Sequence, residues 1–190
     1  MVGPIVDDHL TKVSTDDETR LELFERTIVP HLDAAYNLAV WLTRNKDDAD
    51  DVVQESYLRA FRFFGGFHGG DGKAWLLAII RNTCQTWLRR EKGNRSVVIF
   101  DEWAHSPELP RTNPEGTLLK KCGVGSLLEC LEELPIHYRE VVILRELEEM
   151  SYQDIAGVVK IPLGTVMSRL SRARQRLTDC VAARVNGCLI

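Results

Sequence analysis

The apolar residues of this chain recur three and four positions apart over long stretches, and this periodicity constrains the fold more than any other feature. The repeat runs from about residue 21 to residue 91 and resumes after residue 126. Such spacing places apolar side chains along one face of an α-helix. Strand-like alternation is confined to the short run SVVIF at 96–100. The sequence therefore predicts an all-α protein.

Proline and glycine residues divide the helical pattern into two parts. Between residues 93 and 126 the periodicity fails, and three prolines and four glycines punctuate the stretch. We expect a flexible linker at 93–126 between two small helical domains at 20–92 and 127–180, with tails at 1–19 and 181–190. A chain of 190 residues with 44% hydrophobic content can bury such cores.

Several classes of protein are disfavoured by what the sequence lacks. The chain has no run of eighteen apolar residues, and its first twenty residues lack the basic and apolar regions of a signal peptide. We therefore expect a cytoplasmic protein without membrane insertion. Its five histidines are scattered, and the sequence shows neither a nucleophile–base arrangement nor a cluster of metal ligands. The prediction is a protein that is not an enzyme and carries no metal or cofactor.

The cysteines are odd in number and form no C-x-x-C pair, which argues against a disulfide framework or a zinc ribbon. Buried free thiols are the expected state, because free cysteine is among the most buried residue types. A redox or metal sensor built on Cys180 and Cys188 is the alternative. The five are Cys84, Cys122, Cys130, Cys180 and Cys188.

Charge is segregated along the chain, although the net charge is only −4. Residues 45–58 hold five acids and one lysine, whereas residues 81–95 hold five basic residues and one acid. The second domain repeats the order, with eight acids and two arginines at 127–154 and six basic residues and one acid at 155–190. The pattern indicates that different faces meet differently charged partners. Plain solvated faces are the alternative.

The second domain carries the signature of a helix-turn-helix. Ser151, with Asp154 three residues on, resembles a capping box at the start of a short helix. That helix should end at Lys160, because Pro162 disfavours the α conformation at the residue before it, Ile161. Pro162 itself suits the first position of a new helix. In the second helix an inward stripe is expected at Val166, Leu170, Ala173 and Leu177. The outward face is basic, as a recognition helix in a major groove would be, although a surface helix that is merely basic is the alternative.

Three segments together resemble the extracytoplasmic-function group of bacterial RNA polymerase sigma factors. They are DADDVVQESYLRAF, AWLLAIIRNTC and LPIHYREVVILRELEEMSYQDIAGVVKIPLGTVMSRLSRARQRL, and they follow one another in the family's order. The resemblance implies a region-2 domain at 20–92, which binds core polymerase and melts the −10 element. It also implies a region-4 domain at 127–180, which reads the −35 element. Lys160 stands where relatives usually have glycine, so we expect a left-handed backbone or an altered turn there.

The resemblance also assigns residues to partners. The acidic helix would dock on the clamp helices of the polymerase's largest subunit, with region 4 near its flap, and an anti-sigma factor would mask these faces. The core-binding candidates are Asp51, Gln54, Glu55 and Arg59. The loop GGFHGGDGK at 65–73 and the helix after it would capture a base flipped out of promoter DNA and hold its phosphates. The −10 candidates are Phe67, His68, Lys73, Arg81, Asn82, Arg89 and Arg90, with Lys92 beside them.

The −35 candidates lie on the basic helix. Arg169 and Arg172, beside Ser168, are expected to reach base edges, while Arg174 and Arg176 are expected to hold phosphates. The full set is Thr165, Met167, Ser168, Arg169, Arg172, Arg174 and Arg176. A dimeric helix-turn-helix regulator that acts without polymerase is the competing hypothesis, and it leaves the acidic helix and the glycine-rich loop unexplained.

Overall fold

The computed structural model describes the backbone at residues 19–94 and 118–187, and the side chains at 19–91 and 125–184. All of the regular structure in these ranges is helical, in agreement with the all-α prediction. The run at 96–100 lies outside the described residues. In chain order the helices are α1 (19–28), α2 (Leu32–Thr43), α3 (Lys46–Phe63), α4 (Gly72–Asn94), α5 (Leu118–Glu133), α6 (Ile136–Val142), α7 (Tyr152–Val159) and α8 (Leu163–Gly187).

Helices α1 to α4 form the first bundle, and their boundaries follow from local capping. The Asn45 side chain accepts hydrogen bonds from the backbone N–H groups of Asp47 and Asp48, which starts α3. Asp71 starts α4 in the same way by accepting from the N–H groups of the second and third residues after it. Gly72 is required by close approach, because a Cβ there would lie 2.8 Å from the backbone oxygen of Thr27. The predicted glycine-rich loop is present between α3 and α4.

Helices α5 to α8 form the second bundle, and it contains the predicted helix-turn-helix. Ser151 caps α7 by accepting a hydrogen bond from the N–H of Asp154 at 3.1 Å. Lys160 ends α7 in the left-handed region, with φ of 56° and ψ of 50°, which is the first of the two alternatives expected there. Pro162 lies one residue before α8 rather than at its first position, and its carbonyl accepts from the N–H groups that open the helix.

The two bundles pack against each other, with α4 on α7 and α2 on α6. Their buried apolar residues form one continuous core, which runs from Phe24 in α1 to Ala173 in α8. A short π-helical segment, Ile143–Leu147, extends α6 and brings Ile143 and Leu144 into that core fully buried. The positions of the two predicted DNA-binding surfaces are therefore set by one shared core.

Two sequence-based predictions are corrected by the fold. Helix α4 continues to Asn94 and α5 begins at Leu118, so the first two and the last nine residues of the predicted linker at 93–126 are helical. Leucine and lysine, which open α5, are good helix formers, and Gly123 and Gly125 weaken the helix without ending it. The expectation of free thiols is wrong for Cys130 and Cys180, which form a disulfide between α5 and α8.

The remaining cysteines divide in two groups. Cys84 is a buried free thiol, as predicted, and burial raises its pKa to about 12. The side chains of Cys122 and Cys188 lie outside the described residues. The sensor hypothesis pairs Cys180 with Cys188, but in the structure the partner of Cys180 is Cys130. This pairing depends on how α5 and α8 pack, so the local spacing of the cysteines does not indicate it.

Candidate nucleic-acid and protein interfaces

The predicted protein-binding residues line one side of α3. Asp51 and Gln54 are exposed, and Glu55 is half-exposed with an ion pair to Arg59 one turn later. Leu58 continues the same side and is 68% exposed. Burial of this side chain in a complex would be favourable, because it would remove apolar area from water. The four predicted residues thus lie along one side of α3 together with an exposed leucine.

In the loop between α3 and α4, the predicted DNA-binding residues Phe67 and His68 differ in their exposure. The Phe67 ring lies against Phe64, with centroids 5.7 Å apart, and against Trp75, with centroids 5.3 Å apart. It is therefore part of an aromatic cluster that anchors the loop to the core. His68 is exposed, and Gly69 and Gly70 beside it have φ of 90° and 103°, which only glycine adopts without strain. Of the two, His68 is the side chain accessible to a base.

The basic residues of α4 differ in their accessibility. Arg89 and Arg90 are exposed near the end of the helix, and Asn82 is half-buried. Lys73, at the start of the helix, forms an ion pair with Glu148 at 2.9 Å. Arg81 is only 9% exposed, which places it inside the contact between the two bundles. The backbone of Lys92 continues α4, but its side chain is not among those described.

A single carboxylate, that of Glu140 in α6, connects the two predicted DNA-binding helices. Glu140 Oε2 accepts from Arg81 Nε of α4 at 3.0 Å, and Oε1 accepts from Arg169 Nη1 of α8 at 3.3 Å. Glu140 is itself 3% exposed. Two cations that were predicted to bind different promoter elements therefore share one buried acid. No local pattern indicates this pairing, since Arg81 and Glu140 lie 59 residues apart.

The outward face of α8 presents the predicted recognition residues. Val166, Leu170 and Ala173 are buried and Leu177 is half-buried, which confirms the inward stripe. On the other side, Met167 (53% exposed), Ser168 and Arg172 face water, and Thr165 is half-buried near the start of the helix. The exposed side chains cluster in the first three turns, where a helix lying in a major groove would meet base edges.

The other arginines of α8 have intramolecular partners. Arg174 donates to Glu146 from Nε at 3.1 Å and from Nη2 at 2.7 Å, and this hydrogen bonding is the main cause that raises its pKa. The guanidinium of Arg176 lies 5.2 Å from the centre of the Tyr138 ring. Both side chains remain largely exposed. They can therefore exchange these partners for phosphate at little cost.

Arg139 is a structural residue that the sequence did not indicate. It is 3% exposed and donates to three backbone oxygens: Trp41 in the first bundle at 2.8 Å, and Glu132 and Leu134 in the second at 2.9 and 2.7 Å. Burial lowers its pKa to about 10, assisted by repulsion from Arg44. At neutral pH it is still charged, and it ties the ends of α2 and α5 together.

Two further properties concern the described residues as a group. Within residues 19–94 and 118–187, none of the helices combines the length and the apolar character needed to cross a membrane. In the same part of the chain, histidine, cysteine and acidic side chains do not gather into a group of three that could hold a metal ion.

Comparison with known families matches both bundles. Residues 27–94 match the model for sigma-70 region 2, and residues 125–177 match the model for sigma-70 region 4. Relatives include the ECF RNA polymerase sigma factor SigE of Mycolicibacterium smegmatis, 32% identical over 89% of this chain. The chain spans 65% of that relative's length. The ECF RNA polymerase sigma-E factor of Haemophilus influenzae is 33% identical over 73% of this chain and 78% of its own.

Solved structures agree with the fold. The sigma factor RpoE of Bartonella quintana, crystallised with the anti-sigma factor NepR, superposes with a TM-score of 0.69 and 29% identity, over 84% of this chain and 96% of its own. CnrH, solved with the cytosolic domain of CnrY, superposes with a TM-score of 0.56 over 88% of this chain and 90% of its own. At 22% identity, CnrH supports the fold alone.

Proposed function

The chain belongs to the sigma-70 family of RNA polymerase sigma factors, in its extracytoplasmic-function group, and from that premise we propose that it binds core RNA polymerase in the cytoplasm and directs initiation at a restricted set of promoters. Region 2, at 20–92, melts the −10 element, and region 4, at 127–180, recognises the −35 element. The chain acts by binding rather than by catalysis. The observation that carries the proposal is the exposed cluster of Met167, Ser168 and Arg172 on α8, the second helix of a helix-turn-helix whose first helix is capped by Ser151.

The α3 surface is the proposed contact with the clamp helices of the polymerase's largest subunit. Its exposed leucine supplies apolar area, and Asp51, Gln54 and Glu55 supply polar contacts that fix orientation and on-rate. The flap region is the proposed second contact, made by region 4. An anti-sigma partner is proposed for the same surfaces, since the sigma factor RpoE, which this chain resembles, was crystallised with one.

Core binding is tested by Glu55→Arg. The substitution reverses a charge on the α3 surface, while the ion pair with Arg59 that it breaks is partly exposed and contributes only about 0.3–0.5 kcal/mol to the helix. We expect the variant to fold and to co-purify with core polymerase less than the wild-type chain. The matched control is Glu25→Arg, which makes the same charge change at an exposed position of α1. Equal retention of both variants by core polymerase would remove the α3 surface from the proposal.

Recognition of the −35 element is tested by Arg172→Ala in reconstituted transcription with core polymerase. A bidentate contact to a base typically discriminates by about 1–3 kcal/mol, so preference for the cognate −35 sequence should fall by roughly tenfold or more while core binding is retained. Arg184→Ala removes the same charge from the same helix, roughly 18 Å away along the axis, and should leave preference intact. Unchanged promoter choice in the Arg172 variant would exclude that residue from base recognition.

The same assays separate this function from that of a polymerase-independent helix-turn-helix regulator. A regulator of that kind would bind a palindromic duplex as a dimer and would not be retained by core polymerase. A sigma factor requires core polymerase for promoter-directed transcripts. Tight palindrome binding without retention by core polymerase is therefore the result that would replace the proposed function.

A further inference from the structure

We propose that the chain holds itself closed by placing two region-4 carboxylates, Glu140 and Glu148, on cations that it would otherwise offer to promoter DNA. The inference rests on the proposed function, because it requires Lys73, Arg81 and Arg169 to contact promoter DNA. The two acids are called the carboxylate latch below. Opening the latch is then a necessary step before the two regions can engage the −10 and −35 elements together.

Glu140 is the central acid of the latch. Arg81 of region 2 donates to both of its oxygens, to Oε2 at 3.0 Å and to Oε1 at 3.5 Å, and Arg169 of region 4 donates to Oε1 at 3.3 Å. A carboxylate presents anionic oxygens to a guanidinium much as a phosphate does, and both anions form short, charge-assisted hydrogen bonds with it. Since Arg81 is 9% exposed and Glu140 is 3% exposed, a phosphate cannot reach this arginine while the latch is closed.

Glu148 repeats the arrangement at the other end of the contact. Its Oε2 lies 2.9 Å from Lys73 Nζ, and its backbone oxygen accepts from the same ammonium at 2.8 Å. Asn37 of α2 donates to its Oε1 at 3.5 Å. Glu148 is 7% exposed, so this acid too is removed from water by contact with region 2. Two independent acids of region 4 thus hold region 2 by its proposed DNA contacts.

The energetics favour a latch that opens. The attraction within a buried ion pair is largely offset by the cost of desolvating both charges, so the net stabilisation by the pair is small. Opening returns the acids and the cations to water, where the cations can bind phosphate. If only the open chain binds DNA, the apparent affinity equals the affinity of the open chain multiplied by the fraction of chains that are open. Removing a latch carboxylate should therefore raise DNA affinity, although it adds no contact to DNA.

The experiment compares Glu140→Gln with the wild-type full-length chain. Glutamine keeps the shape of the side chain but leaves Arg81 buried without an anion in the closed state, whereas the open state is unaffected. We expect a larger radius of gyration in small-angle X-ray scattering. We also expect roughly tenfold tighter binding of a mixed-sequence single-stranded DNA 30-mer by fluorescence anisotropy at low salt. The matched control is Glu129→Gln, which makes the same charge change at an exposed ion pair with Arg184, away from the contact between regions.

Each outcome decides the proposal. A radius and an affinity equal to those of the control would overturn the latch, and so would expansion without a gain in DNA affinity. If circular dichroism shows that Glu140→Gln does not fold, Glu148→Gln provides the same two readouts from the second acid. Expansion with a gain in affinity supports the latch even if no promoter-directed transcript is obtained, and in that case only the proposed function fails.

Discussion

Arg139 provides the sharpest test of how the two regions are joined, because one side chain serves three backbone acceptors. We consider Arg139→Met, which keeps the unbranched aliphatic part of the side chain and removes all of the donors. The carbonyls of Trp41 and Leu134 belong to buried residues, and each would lose a hydrogen bond of 2.8 or 2.7 Å. The carbonyl of Glu132 is in a half-buried residue and can be reached by water.

The size of the effect follows from these partners. An orphaned buried acceptor costs about 1–3 kcal/mol, so the two buried carbonyls together give about 2–6 kcal/mol. Burial of the guanidinium acts in the other direction, because it disfavours the charged form, as the pKa of about 10 indicates. Removing the charge recovers part of that cost. We therefore expect a loss of about 3 kcal/mol, toward the lower end of the range.

The assay is equilibrium unfolding in urea, with thermal unfolding as a second measurement. For a chain of this size, about 3 kcal/mol corresponds to a fall in melting temperature of about 6–12 °C. Arg145→Met is the matched control. Arg145 is half-buried, donates to the backbone oxygen of Met150 at 2.7 Å and lies 5.0 Å from the centre of the Tyr152 ring, so its replacement should cost about 1–2 kcal/mol. A loss below 1 kcal/mol for the Arg139 variant, or equal losses for both, would refute the reasoning.

Three further predictions concern stability and thiol chemistry. Lys160→Gly should stabilise the chain by about 0.5–1 kcal/mol in urea unfolding, because glycine relieves the left-handed strain, whereas Gln153→Gly within α7 should cost about 1 kcal/mol; the same sign for both would contradict this. Burial raises the pKa of Cys84 to about 12, so its thiol should resist iodoacetamide at pH 8 until urea is added. The free energy of unfolding should also fall as pH rises above 9, because the thiol ionises in the unfolded chain first. Peptide mass spectrometry reads the labelling, and labelling of the folded chain would argue against burial. Cys130 and Cys180 lie 50 residues apart, so reduction of their disulfide should lower the free energy of unfolding by about 4 kcal/mol on the chain-entropy model. Thermal unfolding with and without reductant measures this loss. An unchanged melting temperature would show that the disulfide does not stabilise the fold.

Features with a local physical cause could be predicted from the sequence. Ser151 caps a helix through atoms three residues away, and Lys160 ends that helix beside Pro162. The inward stripe from Val166 to Leu177 follows from helical periodicity alone. Because these features are decided within a few residues of chain, the amino-acid pattern is sufficient to predict the fold class and the helix-turn-helix.

Features that depend on packing cannot be predicted in this way. The partners of Arg81 and Cys130 lie 59 and 50 residues away in sequence, and nothing in either local pattern selects them. The sequence makes Phe67 a candidate for contact with a base, and it gives no sign that Phe64 and Trp75 engage part of this ring in an aromatic cluster. The sequence indicates which residues are cationic or aromatic, but it does not indicate which of them the fold has already engaged.

The ion pairs between the two bundles suggest a role for the alternating acidic and basic segments of the chain. The acids of residues 127–154 include both members of the carboxylate latch, and their partners lie within the first three turns of α4 and α8 rather than at random on the surface. An acidic segment between two basic helices can neutralise both when the chain is compact. On the proposed function, the exposed cations, such as Arg172 and Arg89, are available for the first encounter with DNA. Attraction at these exposed sites and release at the latched ones would then be successive steps. DNA affinity should fall more steeply with salt in the latch variants than in the wild-type chain, because salt also weakens the latch ion pairs of the wild-type chain and so offsets part of its loss of affinity.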